Sequence, residues 1–171
     1  MIDLTSFVRD VPDYPKPGIL FRDITPMLAS PSALKQAVTQ MAAPFENSEV
    51  DVIAAAEARG FIFGTALAME LGAGFVPIRK PGKLPFDRHS FAYDLEYGTD
   101  ELEIHVDGVQ SGQRVLVVDD LLATGGTVEA CIRLLQQFEA TIVGCSFLIH
   151  LETLGGHDRL EPHPIHSVLT Y

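Results

Sequence analysis

Short apolar runs recur along the chain and alternate with segments of helical spacing. The runs cover residues 50–55, 75–78, 115–118, 142–149 and 165–169. Short apolar runs of this kind, often rich in β-branched residues, are typical of strands that are buried on both faces of a sheet. The pattern therefore predicts buried strands spread over most of the chain.

The segments between these runs place apolar side chains at helical spacing. A helix is predicted to begin at Pro31, because Ser30 is a typical N-cap residue and proline suits the first helical position. Other predicted helices cover 61–71, ending at Gly72, and the face marked by Val128, Cys131, Ile132, Leu135 and Phe138, with a short helix over 2–9. Strands that alternate with helices predict a one-domain α/β fold over residues 1–171, with a mostly parallel central sheet flanked by helices.

Residues 79–100 interrupt this regularity. They are rich in lysine, proline, glycine and aspartate and predict a long irregular segment, followed by an exposed strand of alternating polarity over 101–106. Irregular loops of about 20 residues in compact domains usually serve as lids or are disordered. We therefore expect a lid in this part of the chain.

Composition narrows the functional classes. The 171 residues include 12 Lys+Arg against 23 Asp+Glu, a net charge of −11 that disfavours a nucleic-acid binder. No apolar run approaches the ~20 residues of a membrane helix, and the N-terminus lacks the pattern of a signal peptide. Cys131 and Cys145 have no metal-ligand spacing. We therefore expect two buried thiols in a cytoplasmic protein without a membrane or nucleic-acid partner.

The most specific chemistry lies in residues 115–127. The apolar run ends at Asp119 and Asp120, and Thr-Gly-Gly-Thr follows at 124–127, at the head of a predicted helix. Open α/β sheets bind ligands at the carboxyl ends of their strands, and a glycine turn before a helix offers unpaired backbone N–H groups. This arrangement suits a sugar phosphate whose hydroxyls bind a carboxylate. The alternative is an ordinary strand–turn–helix with Thr127 as N-cap.

Positive charge is concentrated at two other predicted strand ends. Arg59 lies in a strand-to-helix turn, where its planar guanidinium suits phosphate oxygens or, alternatively, pairs with Glu57. Three cations follow the strand at 75–78 in an otherwise acidic protein: Arg79, Lys80 and Lys83. They would concentrate positive potential for a polyanion, although a solvated loop has the same composition.

Residues 115–127 resemble the phosphoribosyl pyrophosphate motif of the type I phosphoribosyltransferases, in the form typical of the adenine phosphoribosyltransferase family. Further segments match that family in order and spacing: Pro-Gly-Ile-Leu-Phe-Arg-Asp-Ile within 17–26, Glu-Ala-Arg-Gly-Phe at 57–61, and Arg-Lys-Pro-Gly-Lys-Leu-Pro and Leu-Glu-Tyr-Gly within 79–98. The likeness covers nearly the whole chain and is greatest to the short bacterial form. Residues 86–89 depart from the family pattern.

The resemblance implies a role for each of these segments. It assigns ribose 5-phosphate to Asp119, Asp120, Ala123, Thr124, Gly125, Gly126 and Thr127, and diphosphate to Arg59, Arg79, Lys80 and Lys83. Glu96, on a flexible lid over 80–98, would be the catalytic acid/base, with Arg59 assisting. A hood from residues 1–30 and the C-terminal segment would cover adenine, which is assigned to Leu20, Phe21, Arg22 and Leu121.

The implied reaction transfers the 5-phosphoribosyl group from 5-phosphoribosyl 1-diphosphate to N9 of adenine, giving AMP and diphosphate in purine salvage. The resemblance further implies a homodimer and Mg²⁺ that is held mainly through the diphosphate rather than by protein ligands. His105, His150, His157, His163 and His166 show no metal-ligand spacing and are assigned no role. Two alternatives stay open: an enzyme for a 6-oxopurine, and a regulator that keeps this fold and binds nucleic acid, which the acidic charge disfavours.

Overall fold

The predicted apolar runs form one parallel sheet in the computed structural model, which describes residues 2–94 and 99–171. In chain order the strands are β1 (Arg9–Pro12), β2 (Leu20–Asp23), β3 (Val52–Ala56), β4 (Gly74–Ile78), β5 (Arg88–Asp94), β6 (Thr99–His105), β7 (Arg114–Leu122), β8 (Thr141–His150) and β9 (Ile165–Thr170). The central sheet has the order β4–β3–β7–β8–β9, and all four of its pairings are parallel. The α/β fold expected from the sequence is confirmed.

Helices cover both faces of this sheet. They are α1 (Thr25–Ala29), α2 (Pro31–Ala42), α3 (Gly60–Leu71), α4 (Gly126–Gln136) and α5 (Gly156–Arg159), with 3-10 turns at Leu4–Phe7, Ala43–Phe45 and Glu152–Leu154. Ser30 caps α2 by accepting a hydrogen bond from the Ala33 N–H, and Gly72 ends α3 in the left-handed conformation with φ 68°. Both helix boundaries agree with the sequence prediction.

Two hydrophobic cores lie on opposite faces of the sheet. In β3, Val52, Ala54 and Ala56 belong to the core formed with α4, whereas Ile53 and Ala55 belong to the core formed with α2 and α3. Residues of β7 alternate in the same way. Side chains of a strand point to the two faces in turn, so a strand covered on both sides is apolar throughout.

The irregular segment is shorter than expected. Residues 88–94 form β5, which pairs with β6 as an antiparallel hairpin, so the prediction of an irregular stretch over 79–100 was wrong there. The prediction that 101–106 is exposed was also wrong, because Leu102, Glu103 and Ile104 are buried. The hairpin packs on the core of α4, and the buried Glu103 carboxylate is paired with Arg88. Lid closure over 80–98 stays a prediction.

Two other boundaries differ from the sequence prediction. Strand β7 continues through Leu122, so that Asp119 and Asp120 lie within the strand instead of after it. The parallel ladder with β8 extends this far and includes Asp119 paired with Phe147. At the N-terminus, the expected helix over 2–9 is one 3-10 turn followed by β1.

The two ends of the chain lie against each other. Strands β1 and β2 form an antiparallel hairpin, and the Arg22 guanidinium lies 3.9 Å from the centre of the Tyr171 ring.

Both cysteines are free and buried, as expected, and burial raises the pKa of Cys145 to about 12. Among the helices of the described residues, none is long and apolar enough to cross a membrane.

Candidate active site

A cleft forms where β3 and β7 end side by side. These strands pair in parallel from Val52–Val115 to Ala55–Val118, so the segments that follow them meet at one edge of the sheet. The cleft measures about 240 Å³ and is lined by Glu57, Ala58, Arg59, Lys80, Leu102, Asp119, Asp120, Leu121 and Thr127. An adjoining hollow of about 200 Å³ is lined by Asp119 and residues 121–128. The structure therefore brings together the acid pair, the glycine turn and two of the predicted cations.

The second hollow has the shape of an anion cradle. Gly125 adopts φ 78°, which favours glycine, and α4 begins at Gly126 rather than being capped by Thr127. The first N–H groups of a helix have no acceptor within the helix, and they point toward any ligand at its N-terminus. Gly156 supports the loop from behind, where a Cβ atom would lie 2.2 Å from the Ala123 carbonyl oxygen. Backbone amides and hydroxyls can therefore bind a phosphate here without a lysine.

The two adjacent aspartates form the electrostatic centre of the cleft. Asp119 Oδ1 accepts a hydrogen bond from the Asp120 N–H at 2.9 Å, and Arg59 Nε lies 3.0 Å from Asp120 Oδ2. The contact with Arg59 is an ion pair without hydrogen-bond geometry. Asp120 Oδ2 therefore has no hydrogen bond, although Asp120 is only 4% exposed. A buried carboxylate oxygen that lines a cleft and has no hydrogen bond can accept one from a ligand hydroxyl. Arg59 therefore lines the cleft beside Asp120, and a pair with Glu57, the alternative interpretation, is not found between these two described residues.

Burial alters the titration of this acid pair. Burial and then the Asp120 charge raise the pKa of Asp119 well above its usual value of 3.8. Burial also raises the pKa of Asp120, against the opposing effect of Arg59. The site therefore holds carboxylates whose negative charge is costly until a hydrogen-bond donor or a cation binds.

Glu57 contacts three of the residues that were predicted to bind diphosphate. Its carboxylate accepts hydrogen bonds from Arg79 Nε at 3.2 Å, from the Lys80 N–H at 2.6 Å and from Lys83 Nζ at 2.6 Å. Burial acts to raise the pKa of Glu57, but the bonds from Lys83, the Lys80 backbone and Arg79 lower it to about 2. The charged groups of Arg79 and Lys83 are therefore held at one acid, whereas Lys80 contacts it through its backbone N–H.

The candidate adenine residues are only partly brought together. Leu121 lines the cleft, and the half-buried Phe21 ring lies 5.1 Å from the Arg59 guanidinium and 5.2 Å from the Tyr14 ring. Leu20 is 45% exposed. Arg22 points away from Phe21, because successive residues of β2 face opposite sides and its guanidinium binds Asp10 and Tyr171.

Sequence reasoning missed several residues at this site. The sequence offers Glu57 only as a partner for Arg59, and its motifs give no role to Asp100 or Tyr93. Lys80 binds Asp100, which lies 20 residues further along the chain, so the sequence does not reveal this pairing. The unlike charges in these segments were a signal, but the pairing depends on the β5–β6 hairpin. Glu96 lies outside the described residues.

Comparison with known proteins places this geometry in a family. Residues 27–167 match the model of the phosphoribosyl transferase domain. An adenine phosphoribosyltransferase of Rhodopirellula baltica is 73% identical over 170 residues, which is 99% of this chain and 82% of that protein. The crystal structure of the Thermoanaerobacter pseudethanolicus adenine phosphoribosyltransferase has a TM-score of 0.95 at 48% identity and covers 98% of each chain.

A structure of the Saccharomyces cerevisiae adenine phosphoribosyltransferase, complexed with an imino-altritol bisphosphate and adenine, has a TM-score of 0.91 at 36% identity. It covers 97% of this chain and 96% of that chain. The chain belongs to the adenine phosphoribosyltransferase family of phosphoribosyl transferase domains. The resemblance seen in the sequence is thereby confirmed, as is its enzyme class.

The raised pKa values predict a conflict between stability and function at Asp119. When the pKa of a carboxyl is higher in the folded than in the unfolded protein, the protein loses stability as the pH rises from the unfolded pKa to the folded one. Asparagine carries no charge and avoids this loss. We expect Asp119→Asn to raise the thermal unfolding midpoint at about pH 8, by less as the pH approaches about 4, while lowering enzyme activity. Calorimetry at fixed protein concentration measures the midpoint.

Asp107→Asn makes the same chemical change on an exposed turn and serves as the matched control. Its unfolding midpoint should follow that of the unmodified protein across this pH range. An Asp119→Asn midpoint that stays below that of the unmodified protein at every pH would contradict the assignment of a costly buried charge.

Proposed function

We propose that this protein catalyses the transfer of the 5-phosphoribosyl group from 5-phosphoribosyl 1-diphosphate to N9 of adenine, giving AMP and diphosphate in cytoplasmic purine salvage. The observation that carries this proposal is the cleft at the ends of β3 and β7. It places Arg59 and the acid pair, of which Asp120 is buried, next to the adjoining amide-lined cradle. The free, buried thiols support a reducing compartment.

The sugar phosphate is assigned to the cradle and the acid pair. The 5′-phosphate would accept hydrogen bonds from the backbone and hydroxyls of residues 123–127. The ribose hydroxyls would donate to Asp119 and Asp120, and the buried Asp120 Oδ2 without a hydrogen bond supports this assignment. A hydroxyl bound there would give this buried acceptor the hydrogen bond that it lacks.

The diphosphate is assigned to the cations on the opposite side of the cleft. Arg59 and Lys80 line it, and Arg79 and Lys83 are held next to it by Glu57. Positive side chains that are already ordered lose less conformational entropy when an anion binds. They would stabilise the charge that develops on the leaving diphosphate.

The donor set also fits Mg²⁺, for which carboxylate and phosphate oxygens are preferred ligands. Asp119 and Asp120 are the residues that would face the ion, with the diphosphate supplying most of its ligands. When bound, Mg²⁺ would neutralise phosphate charge. His157, Asp158 and Glu161 also bring ligand atoms within 4.8 Å of one another, but on the exposed surface and not among the residues lining the cleft.

Adenine is assigned to the space between Phe21 and Leu121. The main chain at Leu20 would offer one donor and one acceptor, which match adenine N1 and its N6 amino group. A 6-oxopurine has the reverse pattern and would leave buried groups unpaired. N9 would bond to the anomeric carbon as the bond to the diphosphate oxygen breaks, and the purine ring would give up its N–H proton to the acid/base residue. The protein would supply alignment and exclude water.

A purine panel tests the proposed reaction. Purified protein, Mg²⁺ and 5-phosphoribosyl 1-diphosphate are mixed with adenine, hypoxanthine, guanine or xanthine in turn, and nucleotide is measured by chromatography. We expect AMP from adenine and little product from the 6-oxopurines, because their hydrogen-bonding edge is reversed. Preferred formation of a 6-oxopurine nucleotide would contradict the substrate, and no nucleotide from any base would contradict the function.

Glu96 is proposed as the acid/base residue on the strength of the Leu-Glu-Tyr-Gly match. We expect Glu96→Gln to lower kcat by roughly 10²-fold or more, the usual scale of proton-transfer assistance. Steady-state kinetics with adenine as the varied substrate measures this change. Glu101→Gln, on β6, is the control for loss of a nearby negative charge. Unchanged turnover in Glu96→Gln would remove the residue from the catalytic set.

We further propose a homodimer that forms through α3. Ile62 and Met69 are 40% and 83% exposed, and with the half-buried Ala66 they form an apolar stripe without charge. A two-fold axis would place this stripe against its copy, an arrangement that charged residues would disfavour. We expect Met69→Glu to convert a dimer into a monomer in sedimentation velocity, while Met69→Leu stays dimeric. A monomeric unmodified protein would contradict the proposal.

A further inference from the structure

A row of polar side chains connects two walls of the cleft from behind. Tyr93 and Asp100 are paired across the β5–β6 hairpin, and Tyr93 Oη lies 3.1 Å from Asp100 Oδ2 in a hydrogen bond. The same carboxylate oxygen binds the Lys80 ammonium. Tyr93 Oη also lies 3.5 Å from Thr127 Oγ1, at the long end of hydrogen-bond distance. The row therefore runs from Lys80 through Asp100 and Tyr93 to Thr127.

The two ends of this row differ from its middle. Lys80 and Thr127 line the cleft, whereas Tyr93 and Asp100 are absent from the residues that line it. Tyr93 is 9% exposed, and its ring belongs to the core formed with α4. Tyr93 is thus held by packing and Asp100 by its bonds to Tyr93 and Lys80, which makes the middle of the row suitable for fixing the two groups that face the cleft.

The charge state of the row supports this arrangement. Burial is the largest single influence on the pKa of Lys80 and acts to lower it, but the hydrogen bonds and charges of Asp100 and Tyr93 together raise it. Burial is likewise the largest single influence on the pKa of Asp100 and acts to raise it, but the hydrogen bonds from Lys80, the Glu101 N–H and Tyr93, with the Lys80 charge, together lower it. Both groups are therefore charged at neutral pH. An ammonium has three N–H donors, so pairing with Asp100 leaves donors for a second anion.

We propose that Asp100 and Tyr93 are positioning residues for the phosphoribosyl donor, which hold Lys80 at its diphosphate end and the Thr127 hydroxyl at its 5′-phosphate end. This inference rests on the proposed function, because that function supplies the ligand at each end. A lysine that is already held in place loses less side-chain entropy when it binds diphosphate. The expected contribution is therefore to donor binding and not to the chemical step.

Tyr93→Phe and Asp100→Asn test this role with little change in shape. The KM for 5-phosphoribosyl 1-diphosphate should rise about 3- to 10-fold in each, the scale of one lost hydrogen bond. The kcat and the KM for adenine should stay within about twofold, since neither variant alters a group assigned to the base or the acid/base step. In the double variant the effects should be less than additive, because both residues act through one row.

Direct binding of the donor gives a second readout. Calorimetric titration of each variant with 5-phosphoribosyl 1-diphosphate and Mg²⁺, without adenine, should show the same loss of affinity as the KM. Glu101→Gln is the matched control, since it removes the charge next to Asp100 from a strand position that faces the opposite side. Its donor affinity should equal that of the unmodified enzyme.

The outcomes separate this inference from the proposed function. If the unmodified enzyme forms AMP and both variants bind the donor as it does, the positioning role is wrong and the function stands. A fall in kcat together with similar rises in the KM for the donor and the KM for adenine, and a lower unfolding midpoint, would also overturn the role. Such a result would indicate general disruption of the fold. An unmodified enzyme that neither binds the donor nor forms AMP would overturn the function itself.

Discussion

The parallel pairing of β3 with β7 is the constraint on which the site depends. It sets the turn at 57–59 beside the acid pair, so that Arg59 reaches Asp120 at 3.0 Å. Residue Gly60 shows how close this approach is, because a Cβ atom there would lie 2.9 Å from Asp119 Oδ1. A shift of either strand by one residue would turn its buried side chains to the wrong face and separate these groups.

Charge around the cleft is balanced by pairs between distant segments. Glu57 gathers Arg79 and Lys83, Asp100 binds Lys80, and Asp120 lies against Arg59. In a chain with a net charge of −11, this leaves a local concentration of cations next to an acid pair of which Asp120 is buried. A donor with phosphates at both ends and hydroxyls between them would meet complementary groups along its length. The charges of Asp119 and Asp120 lower the stability of the folded protein, a cost that is common at functional sites.

Much of the fold was predictable because its signals are local. The five apolar runs form the five strands of the central sheet. Ser30 marks the start of α2 and Gly72 the end of α3, as predicted. The hairpin of β5 and β6 was not predicted, since the lysine, proline and glycine of 80–87 suggested that the irregular segment continued further. What covers β6 is α4, which follows it by more than 20 residues and gives the strand no local signal.

The sequence by itself determined the α/β class, the motif at 115–127 and its likeness to a family, because these depend on residue types at fixed short spacings. The tertiary structure alone decided which acid pairs with which cation, that Arg22 faces Tyr171 instead of Phe21, and that Tyr93 lies behind Thr127. Those contacts join residues that are 12 to 149 positions apart, as with Arg22 and Asp10 or Arg22 and Tyr171. Strand register and packing choose such partners, and neither can be read from the spacing within one segment.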